Sequence, residues 1–298
     1  MPAHLLGPHV VGQRVVVRRL LPGRTGPTGG PAFTDLLGVC LSWGDGVAVI
    51  EPASGEPVEV PISLIVSGKP VPPRPSVRGR VSARAAELHT AALVRGVETT
   101  VLGDWQLRHE PAPVGRVRSR FNSCLAMGDP GLPAAAALDD VTAFYTARGR
   151  TPQVQVEADA DVEAAVRSLG WAPVPGKDAL FLLASLAQVR RRLPPMAEQP
   201  RADIDGVYLS VRTPAAHGEA GLDGDWLGLH GLVVEPEHRR KGLARAVIAA
   251  LLDAGAEHGA TTAWLHVETD NAPAIALYES LGFVEHHRCR YYTAPQAD

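Results

Sequence analysis

Cysteine is scarce in this 298-residue chain: Cys40, Cys124 and Cys289 are odd in number and far apart. That excludes a disulfide framework and spaced zinc pairs, and it fits a reducing cytoplasm. No apolar run approaches the ~20 residues that a membrane span needs, so no membrane partner is expected. The opening Met1-Pro2-Ala3-His4-Leu5-Leu6 has neither a charged n-region nor a long apolar stretch, so no secretory signal is read there. A strong charge of either sign is missing too, at formal net −3. This argues against a dedicated nucleic-acid binder, while local basic patches stay open. Lysine is rare, and neither GxxxxGK[ST] nor GxGxxG occurs, which removes two glycine-rich phosphate signatures.

What is present is a 45% hydrophobic fraction, enough for real cores, in a length that allows two or three domains. Residues 1–72 read as a small all-β unit with strands at 14–21, 36–43, 46–51 and 57–60. Turn signals stand at 23–31, at Gly44-Asp45-Gly46 and at Ser54-Gly55. Short strands joined by Gly/Pro turns predict a small SH3-like β-barrel. Only Phe33 and Trp43 offer aromatic surface in it, so a structural or dimerising role, and with it a homo-oligomer, is weighed against peptide or nucleic-acid binding. A stiff proline-rich linker at 69–75 closes the unit.

Two α/β blocks follow, at 77–186 and 201–294. The first has a helix at 81–94, strands at 99–102, 105–109 and within 114–127, and a break at Gly128-Asp129-Pro130-Gly131-Leu132-Pro133. It continues with a helix at 134–148, a strand at 153–157, a helix at 160–169, and strands at 171–174 and 179–183. The second repeats the order: strands 207–212 and 226–234, helix 243–258, strand 262–268, helix 272–281, and strands 283–285 and 288–292. Val156-Glu157 matches Val267-Glu268, and Gly170-Trp171 matches Gly282-Phe283. Glu157 to Gly170 is 13 residues and Glu268 to Gly282 is 14. A duplication of ~100 residues is too long for a solenoid repeat, and it predicts tandem α/β or α+β units.

The blocks differ most at Arg239-Arg240-Lys241-Gly242-Leu243-Ala244, which opens the helix at 243–258. A helix N-terminus already carries partial positive charge, so three cations there have the wrong sign for helix stability. They make sense beside a multiply charged anion held by free backbone N–H groups around Gly242. The first block's counterpart at 128–133 has an acid, no cation, and prolines that lack N–H donors. One block keeps an anion site that the other lacks.

Leu232-Val233-Val234-Glu235-Pro236-Glu237-His238-Arg239-Arg240-Lys241-Gly242-Leu243-Ala244 resembles the acyl-CoA motif [QR]-x-x-G-x-[GA] of the GNAT acetyltransferase superfamily. Asn271-Ala272-Pro273-Ala274-Ile275-Ala276-Leu277-Tyr278-Glu279-Ser280-Leu281-Gly282-Phe283 is similar to that family's N-x-x-A-x-x-L-Y-x-x-x-G-F. One such match is weak; the pair, in order, is specific over about 226–293. The duplication with a degenerate N-terminal half further resembles tandem actinobacterial members, including mycothiol synthase types. The N-terminal barrel departs from that pattern, so mycothiol synthesis is not assigned.

The resemblance implies direct attack of a primary amine on acetyl-CoA, with no metal. Arg239, Arg240, Lys241, Gly242, Leu243 and Ala244 are then the pyrophosphate site. Leu232, Val233 and Val234 offer backbone groups to the pantetheine arm and the thioester carbonyl. Tyr278 is the general acid for the departing thiolate, against the plainer reading that it packs with Ala274 and Leu281. Asn271 binds the cofactor arm, caps its helix, or does both. The carboxylate that several relatives carry before the CoA loop corresponds to Gly228, so the base is open. His230, on the same strand face, is a candidate base or water-holder; Glu268, His266 and a water relay compete with it. His266 and His286-His287 show no metal-ligand spacing. The acceptor is a small-molecule amine or a protein lysine or N-terminus. The segment 219–225 reads as a solvated acidic loop. A non-catalytic acyl-CoA-binding or scaffolding protein is the alternative.

Overall fold

The computed structural model describes residues 6–26, 29–52, 55–71, 80–113, 115, 117–194 and 200–295. Residues 72–75 of the proline-rich linker, part of the 23–31 turn, Ser54 and Val114 lie outside them. The chain divides into two compact units, Met1–Ser76 and Val77–Asp298.

In the first unit, β1 (Arg14–Thr25), β2 (Pro31–Gly44), β3 (Val47–Pro52), β4 (Val58–Pro61) and β5 (Ile65–Pro70) pair in the order β4-β3-β2-β1-β5. Alternation puts Val15, Val17, Ala48 and Ile50 on one inner face with Cys40 and Val60. Asp45 (φ 50°) and Gly46 (φ 79°) form the two-residue turn between β2 and β3, where an Asp-Gly pair suits the left-handed geometry. The SH3-like barrel expected from the sequence is not shown: the described strands form an open five-stranded sheet. The edge strands β4 and β5 are linked only through a turn of 3-10 helix, Ile62–Leu64, and do not pair with each other among the described residues.

The second unit holds α1 (Ala83–Leu88), β6 (Glu98–Leu102), β7 (Trp105–His109), β8 (Cys124–Leu125), α2 (Ala134–Thr146), β9 (Gln153–Glu157) and α3 (Asp161–Ser168). Then come β10 (Ala172–Pro173), β11 (Ala179–Ser185), α4 (Leu186–Arg192), β12 (Asp203–Asp205), β13 (Tyr208–Arg212), β14 (Ala216–Asp223) and β15 (Trp226–Val234). It ends with α5 (Leu243–Glu257), β16 (Thr262–Glu268), α6 (Ala272–Ser280) and β17 (Val284–Thr293). One mixed sheet runs β12-β13-β14-β15-β16-β11-β17-β9-β8-β7-β6. The two blocks read from the sequence therefore share a single sheet. They do so by exchanging strands: β11 pairs with β16, and β17 pairs with β9. Each block's parallel pair, β8 with β9 and β15 with β16, is continued by a strand from the other.

Strands β5, β12 and β14 and helix α4 escape the sequence reading. The segment taken as a solvated acidic loop is strand β14, with Ala216, Ala220 and Leu222 in the core. It is glycine-rich because both of its faces are covered at close range. A Cβ on Gly218 would lie 2.7 Å from Val247 of α5, and one on Gly221 would lie 2.1 Å from the carbonyl oxygen of Ala92. The missed helix α4 buries Leu186 and Val189, and Arg190 pairs with Asp253 of α5. The helix read at 81–94 is α1, capped by Ser82, followed by 3-10 helix His89–Leu93.

The large core packs α4, α5 and α6 on one face of the sheet, with Leu227, Leu229, Leu251, Leu252 and Leu265 inside. On the opposite face Trp264, Phe181, Trp226, Leu93 and Phe121 form a second cluster. Gly228 belongs there: a Cβ on it would lie 2.5 Å from Trp264 and 2.6 Å from Leu93. A carboxylate at that position has no room.

Candidate active site

The site begins where two strands part. Parallel pairing of β15 with β16 runs only from Trp226 opposite Thr262 to Leu229 opposite Leu265, although both strands continue. Just beyond, Gly231 takes φ +61° and the β14–β15 register slips, so His230 and Val233 flank an extra residue in β15. The bulge turns β15 away and opens a wedge between the strand ends. A cleft of about 510 Å³ occupies that wedge.

Leu229, His230, Gly231, Leu232 and Val233 line one wall, and His266, Val267 and Glu268 line the other. Asn271, Ala274, Leu277 and Tyr278 reach in from the start and middle of α6. Arg118, Arg120, Lys177 and Tyr291 complete the lining from the other block and β17. The edge of β15 that faces β16 is unpaired beyond Leu229 among the described ladders, so its backbone N–H and C=O groups there remain available.

The cationic turn stands just past the end of β15, outside the residues that line the cleft. After a 3-10 helix at Pro236–His238, Arg240 takes φ 61° and Gly242 takes φ 83°; Gly242 is the N-cap of α5. No side chain caps this helix, so the first-turn N–H groups of Leu243, Ala244 and Arg245 have no intrahelical acceptor. A Cβ on Gly242 would meet nothing within 4 Å, so the turn faces open space. Arg239, Arg240 and Lys241 are exposed, and Arg239 Nε donates to the carbonyl of Val234 at 3.2 Å. Uncapped donors, left-handed backbone and three cations fit the phosphates of a nucleotide cofactor.

Tyr278 is 8% exposed, its ring edge-to-face with Phe283 at 5.7 Å. Burial pushes its phenol up to about 12, so it is protonated at neutral pH. Asn271 accepts from the N–H of Ala274 at 3.3 Å and also lines the cleft, so capping and cleft contact coexist. Burial pushes the His230 imidazole down to about 4, against the nearby Glu219 carboxylate at 3.7 Å; Arg118 and Arg120 push the same way as burial. His230 is thus a neutral, weakly basic imidazole. His266 is also held near 4, by burial and then by Arg120. Its Nε2 is 2.6 Å from Glu87 Oε1, and its Nδ1 is buried without a partner.

Arg118, Arg120, Lys177 and Glu87 carry no motif and were invisible in the sequence. They come from the block that lacks the anion turn, and only strand exchange brings them to the cleft. Arg120 Nε is buried with no hydrogen-bond partner among the described residues. A second cavity, of about 420 Å³, shares Arg118 and His230 with the cleft and adds Glu110, Asp203, Asp205, Glu219, Arg95 and Arg212.

The site is a strand-splayed mixed sheet with an uncapped cationic helix start beside the splay. Comparison with known proteins narrows this. Residues 186–292 match the family model described as "Probable histone acetyltransferase Rv0428c C-terminal". The Mycobacterium tuberculosis protein named "Probable histone acetyltransferase Rv0428c" is 30% identical over 310 aligned residues, covering 95% of each chain. A "[Ribosomal protein bS18]-alanine N-acetyltransferase" of Escherichia coli is 49% identical over 57 residues, which span 19% of this chain and 38% of that protein. Among solved structures, a GCN5-related N-acetyltransferase from Kribbella flavida superposes with TM-score 0.55 at 18% identity, covering 73% of this chain and 96% of that one. The chain belongs to the GNAT family of N-acetyltransferases.

Proposed function

We propose that the protein is an acetyl-CoA-dependent N-acetyltransferase in which a primary amine attacks the thioester directly. The observation that carries this is the single cleft that gathers the open edge of β15, Asn271, Tyr278 and His230 beside the uncapped α5 turn. Acetyl-CoA supplies the activated acyl group. The N–H groups at 242–245 and the side chains of Arg239, Arg240 and Lys241 hold its phosphates. Backbone groups of Leu232, Val233 and Val234 align the pantetheine arm and polarise the thioester carbonyl. Tyr278 donates its proton to the departing thiolate, and its raised pKa keeps that proton in place at working pH. His230 accepts a proton from the amine or holds the water that does.

A histidine near 4 is a weak base for an amine near pKa ~10. Arg118, Arg120 and Lys177 supply what it lacks. Like charges around the acceptor disfavour its ammonium form, so the amine arrives neutral. Arg120→Ala therefore moves the rising limb of the kcat–pH profile, which reports the bound amine, upward by about one unit. An unmoved limb would assign deprotonation elsewhere.

The acceptor enters through the second cavity, which meets the cleft at His230 and Arg118. The Mycobacterium tuberculosis and Escherichia coli relatives are both named for protein acceptors, which favours a protein amine over a free metabolite. Calorimetry with acetyl-CoA tests the whole reading: one site per chain is expected, and no heat at high micromolar concentration ends it. If acetyl-CoA binds but no amine or peptide releases free CoA, the protein is an acyl-CoA-binding scaffold instead.

A further inference from the structure

Beneath the cleft, three side chains converge on one carboxylate oxygen of a fourth. Glu87 Oε1 of α1 is 2.6 Å from His266 Nε2, 3.2 Å from His287 Nε2 and 3.2 Å from Cys289 Sγ. The side chains of Glu87 and His266 are 0% exposed, that of His287 is 3% exposed, and Cys289 is buried. His287 and Cys289 alternate on β17 and so share a face. The donor atoms of Glu87, His287 and Cys289 all lie within 4.8 Å of one another.

His286 Nε2 stands 3.0 Å from the carbonyl oxygen of Val81, and His286 Nδ1 stands 2.8 Å from His287 Nδ1. The other ring nitrogen of His287, Nε2, faces the Glu87 carboxylate at 3.2 Å, on the side of Cys289. A buried carboxylate, imidazole and thiol with converging donor atoms are the ligand types that a zinc-class ion takes. Glu87 is a buried carboxylate whose partners among the described residues are His266, His287, Cys289 and Thr90, with no Lys or Arg beside it.

We propose that Glu87, His287 and Cys289 bind a divalent cation of the zinc class, with His266 hydrogen-bonded to the Glu87 carboxylate beside it. Zinc bonds to N, O and S of about 2.0–2.3 Å put tetrahedral ligand atoms roughly 3.3–3.8 Å apart, so the cluster needs only a small expansion. Cys289 releases its thiol proton to solvent as Sγ takes the metal. Thiolate and carboxylate then offset the dication, and a buried net charge becomes a neutral site. Outer partners are in place: Thr90 Oγ1 donates to Glu87 Oε2 at 3.3 Å, Gln155 Nε2 donates to Cys289 Sγ at 3.1 Å, and His286 holds the His287 tautomer. The ion ties α1 to β17, and through the Glu87 carboxylate it holds His266 in the wall of the cleft. Sequence spacing hid the site because Glu87 lies about 200 residues from His287.

The test uses the full chain, expressed with zinc and then titrated with Zn²⁺ and Co²⁺. Mass spectrometry for metal should return about one zinc per chain, and the cobalt form should show a thiolate-to-metal charge-transfer band. Cys289→Ser should abolish that band, whereas Cys124→Ala keeps it. Thr90→Val, which removes an outer partner of Glu87, should weaken zinc about 10–100-fold. A wild-type chain that takes up neither metal, or a cobalt form without a thiolate band, overturns the proposal. Neither readout depends on acetyl transfer.

Discussion

Tyr278→Phe should lower kcat by about 10²–10⁴-fold while leaving acetyl-CoA affinity nearly unchanged. The substitution removes only the phenolic hydroxyl. That hydroxyl has no hydrogen-bond partner among the described residues, and the ring keeps its packing against Phe283. Thermal stability therefore moves little, which separates this variant from one that merely unfolds. Because burial holds the phenol near 12, wild-type kcat should show no loss of the acid from neutral pH up to that region. Activity then falls as pH rises through the phenol's pKa, since the proton to be donated is gone. The measurement is free-thiol release with saturating acetyl-CoA and a competent amine, wild type against variant. Equal rates would return Tyr278 to the packing role weighed for it from the sequence.

The largest effect on stability is expected at Trp264. Its side chain is 1% exposed and stacks on Phe181 at 4.9 Å with an interplanar angle of 3°. The surrounding cluster draws Ala86, Leu93 and Phe121 from the first block and Trp226 from the second. Trp264→Ala should cost about 3–5 kcal/mol, a large part of a typical ~5–15 kcal/mol total. In a unit of this size that lowers Tm by roughly 6–20 °C, measurable by calorimetry. A loss under ~1 kcal/mol would mean that the two blocks do not depend on this cluster. Trp264 also packs edge-to-face on His266 at 5.7 Å, so activity should fall even where the variant stays folded.

Much of the local structure was legible because periodicity and punctuation agreed. β9, β15 and β16 fall where alternation or apolar runs placed them, and α6 begins at the Asn271 cap with Pro273 in its first turn. β14 was not legible, because a strand covered on both faces at close range is built from glycine and alanine, which read as a turn. α4 was missed because Leu186 and Val189 give too short an apolar pattern to count as a helix. The SH3-like barrel was an inference from strand number and turn spacing, and neither quantity specifies whether a sheet closes.

The candidate site divides the same way. Chain order alone places Arg239–Ala244 at a helix start and Asn271 and Tyr278 on the next helix, since these depend on contacts within a few residues. The sequence therefore determined the place of the cationic turn and of Tyr278 on the helices, and the kinship to acetyltransferases. Tertiary structure decided what faces them. Long-range pairing of β11 with β16 and of β17 with β9 brings Arg118, Arg120 and Lys177 to the acceptor side. The same pairing gathers Glu87, His266, His287 and Cys289 under the cleft floor. No local rule encodes such meetings, because strand partners are chosen by burial of whole faces rather than by neighbours in sequence.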